Sequence, residues 1–76
     1  MERNYIFVFQ RSQSDLLPPR FRNLAGELDC NGIYNPILSH PKADWNKIRV
    51  SFSGKEQDLD IVRRIFEEFG YDKLLP

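Results

Sequence analysis

Between Lys47 and Ser53 the chain alternates strictly between polar and apolar residues, Lys-Ile-Arg-Val-Ser-Phe-Ser. That is the period of a strand with one buried face. The pattern predicts Ile48, Val50 and Phe52 inward and Lys47, Arg49 and Ser51 outward. Tyr5 to Phe9 is instead an unbroken aromatic and β-branched run, too short for a helix and apolar on both faces, as in a central strand. A third β segment, Ile33 to Leu38, contains Pro36, which lacks an N–H and so predicts an edge position.

Two segments carry the helical period. Phe21, Leu24, Ala25 and Leu28 fall at i, i+3, i+4 and i+7, one apolar stripe. Ser14-Asp15-Leu16-Leu17-Pro18-Pro19, hydroxyl and acidic residues and then proline, predicts that this helix starts near Pro18 or Pro19, and Asn31-Gly32, tolerant of positive φ, predicts its end. Leu59, Val62, Ile65, Phe66 and Phe69 form a second stripe. Ser53-Gly54-Lys55-Glu56 has capping-box spacing at its start, and Gly70 predicts a close with Tyr71 folding back onto Phe66. The tail, Tyr71 to Pro76, has room for a few residues of edge strand.

The order strand, helix, edge strand, alternating strand, helix and short tail predicts an α+β fold, a ferredoxin-like βαββα(β) sandwich with two helices on one face of a small antiparallel sheet. One domain spanning residues 1–76 is expected, since a chain this short supports a single core. One sheet face is then left open, with Lys47 and Arg49 beside either Ile6 and Val8 or Tyr5, Phe7 and Phe9. An apolar patch in that place marks a contact surface. Its candidate covers are a second copy, the Leu74-Leu75 tail, a foreign protein or stacked bases.

Composition narrows the classes. Eleven basic and eleven acidic residues give zero net charge with His neutral, so no long-range field draws the chain to nucleic acid or anionic membrane, and self-association meets little repulsion. The single Cys30 closes no internal disulfide and reads as a small core hydrophobe in a reducing compartment. No apolar run approaches the roughly 20 residues of a membrane span. With no evident signal segment, a cytoplasmic location without membrane attachment is expected.

The inventory for catalysis is thin. His40 and Cys30, the only histidine and the only cysteine, fall in different predicted elements, and a zinc site needs about four nitrogen or sulfur ligands. His40 in Ser39-His40-Pro41 reads as a solvated turn residue. The carboxylates Asp58, Asp60, Glu67 and Glu68 share a helix with Arg63 and Arg64, a solvated and paired face. Ser53-Gly54-Lys55 lacks the glycines of a phosphate-binding loop. No metal or cofactor is expected. An RNA-recognition domain would carry aromatics on both central strands, but here the alternating strand offers only Phe52, on the side away from Arg49. The metal-binding aspartate that CRISPR adaptation nucleases place after their first strand, and the glycines of the acylphosphatase loop, are replaced here by Gln10-Arg11-Ser12. No family resemblance follows.

The sequence therefore points to a non-catalytic interaction or regulatory domain that binds another macromolecule, foremost a protein, with a homodimer as one form. By fold-level analogy this is the company of antitoxins, regulatory subunits and inhibitors. The candidate contact residues are Tyr34, Trp45, Lys47, Arg49 and Tyr71. The alternatives are a single-stranded RNA- or DNA-binding domain using the open sheet face, and a metal-dependent endoribonuclease whose loop carboxylates would be Asp15 and Asp44.

Overall fold

The computed structural model describes residues 2–12 and 17–76. In chain order the elements are β1 (Arg3–Gln10), α1 (Phe21–Cys30), β2 (Ile37–Ser39), β3 (Lys47–Gly54), α2 (Asp58–Glu68) and β4 (Lys73–Leu74). The four strands form one sheet in the order β2-β3-β1-β4, with every neighbouring pair antiparallel. The chain thus has an α+β fold in which both central strands are flanked.

The β1–β3 register sets Tyr5 opposite Phe52, Phe7 opposite Val50 and Phe9 opposite Ile48. All six therefore share one face, and that face meets the helices. Phe9, Ile48, Val50 and Phe52 join Leu24 and Leu28 of α1 and Val62, Ile65 and Phe66 of α2 in a single buried core. The rings of Phe9 and Phe66 lie 4.4 Å apart, while Tyr5 stacks on Phe7 at 5.9 Å and Phe52 tilts against both at 5.7 and 6.1 Å, an arrangement that adds to simple area burial.

Both helices end the same way. Gly32 and Gly70 take φ of 89° and 91°, which glycine adopts without a Cβ penalty. Gly32 N–H donates to Asp29 and Ile33 N–H to Leu28, and the same pair of bonds joins Gly70 to Glu67 and Tyr71 to Phe66. These are two Schellman closures, each followed by a residue that plugs into the core. Ile33 and Tyr71 are those residues, and both are buried.

This recruitment of Ile33 shortens the expected edge strand. Rather than running from Ile33 to Leu38, β2 covers only Ile37–Ser39. Asn35 sits at φ 52° and Pro36 has no N–H to give a ladder, so pairing begins after them. Three further expectations are corrected. Helix α1 begins at Phe21 with Arg20 as N-cap, two residues beyond the prolines, and Ser14 and Asp15 of its expected approach lie outside the described residues. The capping box is displaced, since Ser53 and Gly54 belong to β3. The reciprocal pair is instead Lys55 N–H to the Asp58 carboxylate at 2.8 Å and Asp58 N–H to the Lys55 carbonyl at 2.9 Å. Finally, Cys30 is exposed, because it lies off the Leu24–Leu28 stripe in the last turn of α1.

Candidate functional site

Turning over the sheet gives its other face row by row from the register. One row is Ser53–Asn4, the next Ile37–Ser51–Ile6, then Ser39–Arg49–Val8, then Lys47–Gln10–Lys73. Among the described residues no helix covers these positions, and Ile6 and Ile37 remain 65% and 69% exposed. They sit on either side of Ser51 as cross-strand neighbours. Large apolar side chains this open and this close form a patch rather than scattered surface residues.

Among the described residues the charges on this face are unevenly placed. Lys47, Arg49 and Lys73 lie at the end where β3 begins, with the Asp44 carboxylate beside Lys47. At the opposite end Glu2 lines a groove of about 410 Å³ with Asn4, Ser53, Tyr34 and Ile37. The groove exists because β2 begins only at Ile37: its ladder starts opposite Ser51 of β3 and leaves Phe52 to Gly54 with no strand on that side among the described residues.

The tail does not cover the isoleucines. Leu74 pairs with Phe9 on the helix-facing side, and Leu75 N–H donates to the Val8 carbonyl at 2.9 Å. Leu75, Pro76, Val8 and Pro41 instead line a small cleft of about 220 Å³ beside Lys42 and Lys47.

The five candidate contact residues do not converge. Lys47 and Arg49 lie on the open face as the alternation predicts, and Lys47 is 3.9 Å from the Asp44 carboxylate with both side chains part-exposed, a weak pair in water. Tyr34, exposed, stands at the groove end. Trp45, also exposed, stands at the other end of β3, its ring 6.5 Å from His40, which lies 4.8 Å from Phe21. Tyr71 leaves the surface altogether at 0% exposure. Its hydroxyl is committed to the Trp45 carbonyl, and the Arg11 guanidinium lies 5.8 Å over its ring. Sequence reasoning offers Ile6 with Val8 as one of two sets for the open face but names none of Ile6, Ile37, Lys73 and Glu2 as contact residues, although period-two alternation extended along β1 places Glu2 with Ile6 and Val8.

Residues weighed for chemistry are structurally engaged. His40 is half-buried rather than freely solvated, and its Nδ1 donates to the Lys47 carbonyl at 2.8 Å, since a carbonyl can only accept. The Asp44 carboxylate accepts from Asn46 N–H at 2.9 Å. Asp15, the other loop carboxylate, lies outside the described residues. Among the described residues no three His, Cys, Asp or Glu side chains gather as a metal site. The aromatics of β1, candidates for base stacking, face the helices. No helix of the described residues is long and apolar enough to cross a membrane. No protein family model, curated protein or solved structure matches the chain.

Proposed function

We propose that this chain is a non-catalytic interaction domain, of regulatory or inhibitory kind, that acts in the cytoplasm by binding a protein through the open face of its sheet. The observation that carries the reading is the Ile37–Ser51–Ile6 row, two exposed aliphatic side chains set among polar and cationic neighbours on a face that two helices leave bare. Apolar anchors with a charged rim are the anatomy of a protein contact. The finer architecture proposed is the ferredoxin-like sandwich of one domain. The order β4-β1-β3-β2 read from the other edge, with a helix after β1 and another after β3, supports it.

Single-strand nucleic-acid binding is the second reading, favoured by Lys47, Arg49 and Lys73 on one face. It lacks the aromatic platform on which bases stack, because Tyr5, Phe7 and Phe9 are turned inward.

The test immobilises wild type, Ile6→Lys, Ile37→Lys and a helix-face control, Arg63→Glu, and measures protein capture from native lysate beside a single-stranded RNA titration at two salt concentrations. The reading expects one protein, added copies of the chain itself being counted as a candidate, held by wild type and control and lost by both isoleucine variants. Capture indifferent to both isoleucines defeats it. RNA binding that weakens with salt in wild type and persists in both isoleucine variants supports the second reading instead.

A further inference from the structure

We infer that the occupant of the open face is a second copy of this chain, packed sheet to sheet about a two-fold axis that runs across the strands through the Ile37–Ser51–Ile6 row. The inference rests on the reading of that face as a contact surface and adds the partner and its orientation.

The uneven placement of charge carries the argument. Rotation about such an axis returns the isoleucine row onto itself, so Ile6 meets Ile6 and Ile37 meets Ile37 of the second copy. Rows on either side exchange places. The Ser39–Arg49–Val8 row lies over the second copy's Ser53–Asn4 row, where the guanidinium finds hydroxyl and amide oxygens instead of another cation. One row further out, Lys47 and Lys73 come over the end that holds Glu2. Aligned sheet packing places the two faces about 10 Å apart with strands near 30°, a separation that isoleucine, lysine and arginine side chains span. Turning the partner so that the cationic ends coincide would instead bring together two groups of three cations, Lys47, Arg49 and Lys73, each offset by the single carboxylate of Asp44, an arrangement opposed by net repulsion. The isologous, antiparallel placement is the one in which apolar centre and charged ends both find complements. Equal numbers of acidic and basic residues, eleven each, leave no net repulsion between copies.

Sedimentation equilibrium of the full chain tests this directly, and the expected mass is twice the 9.0 kDa of one chain. Ile6→Lys and Ile37→Lys should each give a monomer with an unchanged far-ultraviolet spectrum, which separates loss of contact from loss of fold. Glu2→Lys, present in both copies, should raise the dimer dissociation constant about two- to thirty-fold, the range for two exposed ion pairs. In a Cys30→Ser background, Ile6→Cys should be joined to its counterpart by a short bis-maleimide, whereas Arg63→Cys should not. A wild type that stays monomeric up to its solubility limit overturns the dimer, and loss of foreign-protein capture in the isoleucine variants would then leave the contact-surface reading standing. A dimer that survives both isoleucine substitutions and is not joined through position 6 overturns the dimer geometry, and only foreign-protein capture indifferent to both isoleucines would overturn the contact-surface reading with it.

Discussion

The hydroxyl of Tyr71 donates a 2.6 Å hydrogen bond to the main-chain carbonyl of Trp45. Tyr71 is the residue that follows the α2 closure, and Trp45 belongs to the segment leading into β3. The bond therefore fastens two connections separated by 26 positions. Arg11 adds a third, with its Nε donating to the Asn46 side chain at 3.0 Å and its guanidinium over the Tyr71 ring. The end of the sheet where β3 begins, which carries Lys47 and Arg49, is positioned by this knot.

Tyr71→Phe should cost about 1 kcal/mol, the net worth of a buried hydrogen bond, with the Trp45 carbonyl losing its partner. Its pH dependence is more diagnostic. Burial, the largest influence, raises the Tyr71 phenol above its ordinary value of 10.0; the Arg11 guanidinium opposes this and the Asp44 carboxylate reinforces it. The unfolded phenol therefore loses its proton at lower pH than the folded one. The resulting stability is fully present below about pH 10 and disappears as pH rises through the folded value. Urea midpoints taken from neutral into alkaline pH should fall less steeply for Tyr71→Phe than for wild type. Parallel curves would count against the burial of this hydroxyl.

Ile33 and Tyr34 are neighbours with opposite fates. Ile33 closes α1 and is 1% exposed, whereas Tyr34 is 64% exposed at the groove. Ile33→Ala should destabilise by about 2–5 kcal/mol through lost burial and the cavity left behind. Tyr34→Ala should stay within about 0.5 kcal/mol, as surface changes do. Denaturant unfolding of the two variants checks the pair, and a similar cost for both would count against the burial of Ile33 and the exposure of Tyr34.

How much of this was legible follows from which forces act locally. The helix stripes, the Lys47–Ser53 strand and both glycine closures depend on period and backbone chirality, so short stretches reveal them. The inward face of β1 does not, because both of its faces are apolar. It is decided by pairing with β3, which groups Tyr5, Phe7 and Phe9 with Phe52, Val50 and Ile48 and so buries the larger aromatic set. Ile6 and Ile37 then come together only through register. Gly70 points to the fold-back of Tyr71 onto Phe66, but placing Ile33 in a strand and Tyr71 among surface contacts fails for a shared reason: the residue after a Schellman glycine is aimed by the closure into whatever core the helix already packs on, and the depth of that burial is a tertiary fact. Lys47 and Arg49 were found because alternation alone fixes their side.

Cys30 makes a separate and simple case. It lies in the last turn of α1, exposed, so its thiol should react with a water-soluble disulfide reagent in the native protein, one equivalent per chain, at a rate close to that in denaturant. Cys30→Ser should change stability by no more than about 0.5 kcal/mol. A thiol that reacts only after unfolding would restore the core position that composition suggested.

Gly54 and Asp58 form a coupled pair that a double-mutant cycle can resolve. A Cβ on Gly54 would lie 2.5 Å from the Asp58 Oδ2, and that oxygen accepts the Lys55 N–H that opens the turn into α2. In wild type, then, Gly54→Ala forces the carboxylate to rotate away and releases the bond, a loss of about 0.5–2 kcal/mol in the range of a helix cap. Asp58→Ala removes the same bond directly and should cost a similar amount. Once the carboxylate is gone, the methyl at position 54 meets nothing closer than 3.6 Å, at Phe52, and alanine is better suited than glycine to a strand by about 0.5–1 kcal/mol. In the Asp58→Ala background Gly54→Ala should therefore be neutral or stabilising. The two losses fail to add because they are one bond counted twice, and additive losses in denaturant unfolding would show that Asp58 does not hold the turn.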